Sequence, residues 1–373
     1  MKFDFERDAL LHEMLIAQEA VNSKNSMDIL ANALLILEGD SLVVKTKSRE
    51  LTFQCRTTVD GIEDGCVIVY ASKFIDILKV LPSGFISFET VDNKEISLRH
   101  PDKRKIHFSL KILASEKFPD FELNTNDSAI EFSIIGSKLK TAINTVISCV
   151  STNTQRLFMC GVHFEGHDNS LHTYATDGRK LAVSSVDIDT NINGVNANVP
   201  VKILNVVSRY CNENSLCKIV FKKNAVYFSF ENYNFSSLLF DGQFPNTSRV
   251  IPQSSEYSAS VDKNLLNEAL KRVSLMCDTH ANKVTTFFST SSMQIESCES
   301  TEGAASEIIP CSSTCADMAI SLNYNYLLAA LKAIQDENVL IGFTEAMKPI
   351  TVKPANNNEG EKLLYVIMPM VAN

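Results

Sequence analysis

Phe132-Ser133-Ile134-Ile135-Gly136-Ser137-Lys138-Leu139-Lys140-Thr141-Ala142-Ile143-Asn144-Thr145-Val146-Ile147-Ser148-Cys149-Val150 changes its apolar period partway along. Phe132 and Ile134 flank polar Ser133, as in a strand with one buried face. From Leu139 onward, Leu139, Ala142, Ile143, Val146, Ile147 and Val150 follow the i, i+3, i+4, i+7 spacing of a helix with one buried stripe. The same opening occurs twice more. Phe3, Phe5 and Leu10 precede a stripe of Leu10, Met14, Ala17 and Val21, and Ala259, Val261 and Leu266 precede Leu266, Ala269, Leu270 and Val273.

A second helical stripe follows in each segment: Phe74, Ile77, Leu78 and Leu81; Ile203, Val206, Val207 and Tyr210; Tyr324, Leu327, Leu328 and Leu331. Between the helices the pattern alternates with period two and is broken at turn residues, as at Gly39-Asp40 before Leu42 to Val44, and Pro82-Ser83-Gly84 before Ile86 to Phe88. Each segment therefore reads as an α+β unit with two helices packed against antiparallel strands. Lys117-Phe118-Pro119-Asp120 and Gln243-Phe244-Pro245-Asn246 close the first two units, each proline removing a ladder donor. The expected domains are 1–122, 123–252 and 253–373.

Of 373 residues, 45% are hydrophobic and 21% charged, enough apolar material for several cores and too balanced in charge for a disordered chain. Met1 to Leu10 has no basic segment leading into an apolar run, and no window approaches a membrane span, so a cytoplasmic protein without a membrane partner is expected. Its ten cysteines are then expected as reduced thiols. The net charge of −9 argues at first against a nucleic-acid partner.

Tyr174-Ala175-Thr176-Asp177-Gly178-Arg179-Lys180-Leu181, Asp241-Gly242-Gln243-Phe244-Pro245 running to Arg249-Val250-Ile251-Pro252, and Tyr365-Val366-Ile367-Met368-Pro369-Met370, set in three like repeats, resemble the bacterial sliding clamp family, the beta subunit of DNA polymerase III. The resemblance spans the chain in order. It implies three similar clamp domains in a ring-forming homodimer that encircles duplex DNA without reading its sequence. It also implies no catalytic centre and no cofactor, with the replicative polymerase subunit, the clamp loader and other proteins docking by short peptides. The groove for those peptides would use Met159, Thr176, Gly178, Arg179, Lys180, Leu181, Pro245, Arg249, Val250, Met347, Val366, Met368, Pro369 and Met370. Methionines repack around different apolar side chains, and a glycine lets a peptide backbone approach. Taken alone, Asp177-Gly178 is an ordinary turn and Val366 to Met370 the end of a buried strand. The sequence departs from the family's common pattern at Met159, at Arg179-Lys180 and at the terminal Val371-Ala372-Asn373, which bears on peptide preference.

Split by repeat, the net charge is −4, +1 and −6. The helices run against that trend. Lys73, Lys79, Lys138, Lys140, Lys202, Arg209, Lys263, Lys271, Arg272 and Lys332 lie on or beside the helical stripes, and Lys202, Asn205 and Arg209 fall opposite the apolar face of theirs. These residues are the expected DNA-facing set, to which the resemblance adds Lys24; the plain alternative is a set of solvated helix faces. A basic lining within an acidic body would hold phosphates loosely and without sequence preference.

For ring closure, Lys103, Arg104 and Lys105 precede Phe108 and Leu110 on an alternating edge strand. Leu275, Met276, Glu296, Glu299 and Glu302 offer an apolar and acidic complement in the third repeat. A competing reading is a metal-dependent hydrolase using His163, His167 and His172, although these residues look like hairpin surface positions around Gly166 to Asn169.

Overall fold

The computed structural model describes residues 1–21, 29–101, 105–113, 118–119, 129–278, 280–297, 303–315, 317–356 and 361–371. Among them, six α-helices each follow a strand with no residue between. Lys2–Glu6 runs into α1 (Arg7–Ala17), Gly65–Tyr70 into α2 (Ala71–Val80) and Ile130–Ile135 into α3 (Gly136–Asn144). Asn196–Pro200 runs into α4 (Val201–Tyr210), Tyr257–Asp262 into α5 (Lys263–Ser274) and Met318–Asn323 into α6 (Tyr324–Ala333).

The switch from extended to helical backbone is held locally. Glu6 accepts a hydrogen bond from the Ala9 amide at 2.6 Å, Asp262 from the Leu265 amide at 2.8 Å and Asn323 from the Asn325 amide at 2.9 Å. These bonds satisfy amides that a helix start leaves without partners. The apolar stripes face inward as expected: Leu10 and Met14, Phe74 and Leu78, Leu139 and Ile143, Ile203 and Val207, Leu266 and Leu270, and Leu327 and Leu331 are buried. Burying each such large side chain stabilises the fold by about 1.5–3 kcal/mol.

Two expectations need correction. The helix expected to run to Val150 ends at Asn144; the Val146 amide turns back to Ile143, and Ile147–Cys149 continues as a 3-10 turn. Consecutive β-branched residues, with the Thr145 hydroxyl bonded to the Thr141 carbonyl, disfavour another α-turn there. Likewise, Asn32–Glu38 and Ser41–Lys47 are buried on both faces at their centres rather than alternating.

The described residues form two compact units that do not coincide with the repeats. In the first, 1–135 with 202–239, thirteen described strands join into one antiparallel sheet. Tyr233–Leu238 from the middle repeat pairs there with Thr52–Thr58 of the first, Tyr233 opposite Cys55 and Ser236 opposite Thr52. Phe53 and Phe235, 5.0 Å apart between ring centres, pack across that seam.

In the second unit, 136–201 with 240–373, twelve described strands join likewise. Lys180–Asp187 of the middle repeat pairs with Glu361–Ile367 of the third, Leu181 opposite Val366. The middle repeat thus supplies strands to both sheets.

Leu266→Ala should lower folding stability by about 2–5 kcal/mol, the usual cost of emptying a close-packed site. Leu265→Ala, at a residue 44% exposed on the same helix, should stay within about 0.5 kcal/mol. Denaturant titrations of the two variants check the face assignment; equal losses would contradict it.

Candidate functional site

In the second unit, the turn Thr176 to Lys180 has its own polar frame. The Thr176 hydroxyl donates to the Lys180 carbonyl at 2.7 Å and accepts from the Gly178 amide at 3.0 Å. The Asp177 carboxylate accepts from the Arg179 and Lys180 amides at 2.8 and 3.0 Å. This geometry sets Gly178 at φ +89°, a left-handed conformation that glycine adopts without cost. Beyond the strand pairing, the Met368 amide donates to the Arg179 carbonyl at 2.9 Å, which lays the chain after Ile367 along the turn.

Met159, in the 3-10 turn Leu157–Met159, completes the patch. It is buried, and its Cε lies 3.9 Å from the point a Cβ on Gly178 would occupy. The structure therefore brings Met159, Thr176, Gly178, Arg179, Lys180, Leu181, Val366 and Met368 together. Leu181 and Val366 are buried as a floor, whereas Met368 is 41% exposed. Pro369 and Met370 are half-buried, and the Met370 amide donates to the Ser321 carbonyl at 2.8 Å.

Gly242 is packed against Phe158, with only 2.9 Å from its would-be Cβ to the ring, so the Phe244-Pro245 segment starts beside the Met159 turn. Pro245, Arg249 and Val250 are exposed around the 3-10 turn Thr247–Arg249, and Met347 is exposed between Asn338–Phe343 and Ile350–Pro354.

Tyr326 in α6 was not singled out from sequence. Lys180 Nζ lies 4.8 Å from its ring centre and donates to the Ser148 carbonyl at 2.6 Å. Burial raises the Tyr326 hydroxyl pKa, and the Asp177 carboxylate adds to the rise. Burial also pushes the Cys149 thiol up to about 12, against the opposing pull of Lys180. No local motif marks Tyr326, because it meets Lys180 only through the fold.

The histidines lie on the expected hairpin, Gly161–His167 paired with Ser170–Thr176, and His167 is exposed, but one departs from the surface. His163 is buried rather than on the surface, its Nδ1 2.9 Å from Asn198 Oδ1 and its ring stacked 4.6 Å from Phe244. His172 and His167 continue a row of rings past Tyr174. The rings form a row, with His163 tilted against Tyr174, Tyr174 stacked on His172 and His172 edge-on to His167, rather than a convergent ligand set, and no cluster suited to a metal ion occurs among the described residues. The hydrolase alternative finds no support.

The basic helix residues fall into two groups. Lys138 donates to the Asp187 carbonyl at 2.8 Å, and Lys263 to the Ile334 carbonyl at 3.1 Å. Lys202 meets Glu50 at 3.4 Å, Arg209 meets Glu19 at 2.5 Å, and Lys271 meets Glu268 at 2.9 Å. Arg272 grips Glu307 with two hydrogen bonds of 2.9 and 2.6 Å, a carboxylate partner instead of an open cation. Lys73, Lys79 and Lys332 are exposed and Lys140 half-buried, without an ion pair or hydrogen bond among the described residues.

Of the expected ring-closing residues, Lys105 and Leu275 are exposed, and Phe108, Leu110, Met276 and Glu296 are half-buried. Lys24, Lys103, Arg104, Glu299 and Glu302 lie outside the described residues. The strand His107–Leu113 is not a full edge. It pairs with Glu95–Arg99 on one side, and on the other Ile112 and Leu113 pair with Val69 and Ile68. Ile308 on Ser306–Ser313 is 65% exposed.

Models of the N-terminal, central and C-terminal domains of the DNA polymerase III beta subunit match residues 1–123, 133–246 and 248–371. The beta sliding clamp of Treponema pallidum is 32% identical over 377 residues, with 99% of each chain covered. That of Escherichia coli K12 is 26% identical over 372 residues, covering 99% of this chain and 100% of the relative. A crystal structure of the DNA polymerase sliding clamp from Pseudomonas aeruginosa with ligand superimposes at a TM-score of 0.93, with 25% identity and 100% of both chains covered.

Burial holds the His163 pKa below its ordinary 6.5, against the opposing hydrogen bond to Asn198. The unfolded chain therefore takes up a proton that the folded ring resists. Stability is complete above the unfolded value and falls as the pH drops below it through the folded pKa. Melting temperature should decline from about pH 7.5 to about pH 5.5, and His163→Gln should flatten the decline; an undiminished slope in the variant would remove His163 as its source.

Proposed function

Since the chain belongs to the DNA polymerase III beta subunit family, we propose that it is a sliding clamp that confers processivity on the replicative polymerase. Two copies close head to tail around duplex DNA, with domains divided near residues 122 and 252. The protein is non-catalytic and works in the cytoplasm; no helix of the described residues is long and apolar enough to cross a membrane.

The observation that carries this reading is the repeated strand-to-helix unit, which buries an apolar stripe and turns lysines outward in a chain of net charge −9. Lys73, Lys79, Lys140 and Lys332 have no carboxylate partner among the described residues, which favours a direct phosphate role. Lys138, Lys202, Arg209, Lys263 and Lys271, with Lys24, add to the positive field. Arg272 acts chiefly through Glu307. Because an encircling protein is retained by topology, weak contacts suffice, and weak contacts permit sliding.

The patch around Gly178 and Met368 serves as the peptide groove. Its buried floor and flexible exposed methionines suit partners that share only a short apolar motif. Arg179 and Arg249 supply polar anchors at the rim, and Pro245, Val250, Met347, Pro369 and Met370 extend the apolar contact.

Closure uses open backbone edges. Residues 107–111 pair on one side only with Glu95–Arg99, and residues 306–310 pair on one side only with Ser292–Glu296 among the described residues. Their exposed amides and carbonyls suit strand addition between protomers. Phe108, Leu110, Leu275, Met276 and Ile308 form the apolar centre, and the basic charge of Lys103, Arg104 and Lys105 complements the acidic charge of Glu296, Glu299 and Glu302.

Loaded by a clamp loader onto nicked circular DNA, the protein should stay bound until the circle is linearised and then slide off; retention on the linear product would contradict encirclement. Replacing Lys103, Arg104 and Lys105 by glutamate should yield monomers in size-exclusion chromatography, whereas an unchanged dimer would remove those residues from the interface.

A further inference from the structure

The junction that builds the groove occurs twice in this chain. In the second unit, the turn between Ser170–Thr176 and Lys180–Asp187 sets Thr176 opposite Leu181, and Leu181 opposite Val366 of the next repeat. In the first unit, the turn between Ser41–Lys47 and Thr52–Thr58 sets Lys47 opposite Thr52, and Thr52 opposite Ser236 of the next repeat. Superposing the two pairings puts Arg49 in the place of Gly178 and Leu238 in the place of Met368. Leu238 is 63% exposed, a large apolar side chain left open at the position of the groove's methionine.

The first junction opens onto a cavity of about 550 Å³. Its floor follows one cross-strand row, Lys47, Thr52, Ser236, Tyr227 and Val220, with Leu238 beside it. Tyr227 presents a half-buried ring, and Lys222 Nζ lies 5.5 Å from its centre.

Lys47, Arg49 and Lys218 line the cavity, and the carboxylates nearby are already engaged: Glu50 with Lys202 at 3.4 Å and Glu131 with Lys218 at 2.7 Å. Arg49 is exposed and has no ion pair among the described residues. The turn's own backbone is closed, since the Ser48 hydroxyl accepts from the Leu51 amide at 3.0 Å and donates to the Leu51 carbonyl at 3.1 Å. Where Gly178 leaves room for a peptide backbone, Arg49 presents a long cation. A ligand at this junction would therefore meet side-chain charge and one apolar contact.

We propose that this cavity is a second docking site, for a short acidic peptide with a single aromatic anchor. The anchor packs on Tyr227 and Leu238, and flanking carboxylates meet Arg49 and Lys47. A peptide fits better than a nucleic-acid strand because Lys47 and Arg49 cluster at the turn while Ser236 and Tyr227 follow along the row, a pattern that suits carboxylates flanking one anchor more than a continuous run of phosphates. The proposal rests on the groove reading only for the equivalence of the two junctions, and its test lets either fail alone.

The probe is fluorescein-labelled Asp-Glu-Glu-Tyr-Asp-Glu-Glu-Asp, titrated with full-length protein and followed by anisotropy. Saturable binding is expected, weakened about tenfold or more by Arg49→Glu and by Leu238→Glu, and unchanged by Met368→Glu in the groove. Both altered side chains are exposed, and thermal melts matching the parent certify folding; Arg49→Glu, in a turn, decides the matter if Leu238→Glu disturbs its strand. Absence of saturable binding, or binding untouched by Arg49→Glu, overturns the proposal. Loss of binding only in Met368→Glu assigns the peptide to the groove instead. Preferential binding of oligothymidylate, sensitive to Arg49→Glu, overturns the choice of a peptide.

Discussion

Strand pairing across repeat boundaries is the constraint on which the rest depends. A small sheet leaves amides and carbonyls open at its edges, and those edges must be paired, covered or blunted. Here Tyr233–Leu238 closes an edge of the first repeat, and Glu361–Ile367 closes one of the middle repeat. The turn that precedes each receiving strand, Ser48 to Leu51 or Asp177 to Arg179, is thereby set beside a chain segment from another repeat. The patch around Gly178 lies at such a seam, where the Met368 amide hydrogen-bonds to the Arg179 carbonyl.

The strand-to-helix switch is the second constraint. Each described α-helix begins where a strand ends, so its position relative to the sheet is set at that junction, which a side chain caps in three of them, as at Asp262 and Asn323. With one face given to the core, the other must carry whatever keeps the protein in solution, and lysine does so while remaining usable for phosphate contact. Exposed ion pairs such as Glu268 with Lys271 contribute little to stability, so such faces are free to serve electrostatics instead.

Much of this architecture was legible beforehand. The apolar stripes at Leu139 to Ile143 and Leu266 to Val273 identified helices because period and burial agree there. Legibility failed where a local competitor won, as at Thr145 to Ile147, or where burial on both faces erased alternation, as in Ser41–Lys47. Of the candidate site, the Thr176 to Leu181 turn and the Val366 to Met370 end stood out through a resemblance rather than through any chemical signature. Tyr326 against Lys180 and His163 against Phe244 did not stand out, because nothing in the local sequence of either partner refers to the other.

The sequence by itself determined three similar α+β repeats, their helix faces, the turn residues and a charge balance that runs opposite ways on helices and body, since each of these is a matter of neighbours within a few positions. Only the tertiary structure decided that the middle repeat divides its strands between two sheets, that Arg272 is held by Glu307, that the three histidines line a row of rings instead of converging, and that the junction beneath Arg49 repeats the one beneath Gly178. Those facts depend on which edge meets which, and backbone edges carry the same donors and acceptors whatever their sequence; only packing of the whole chain selects among them.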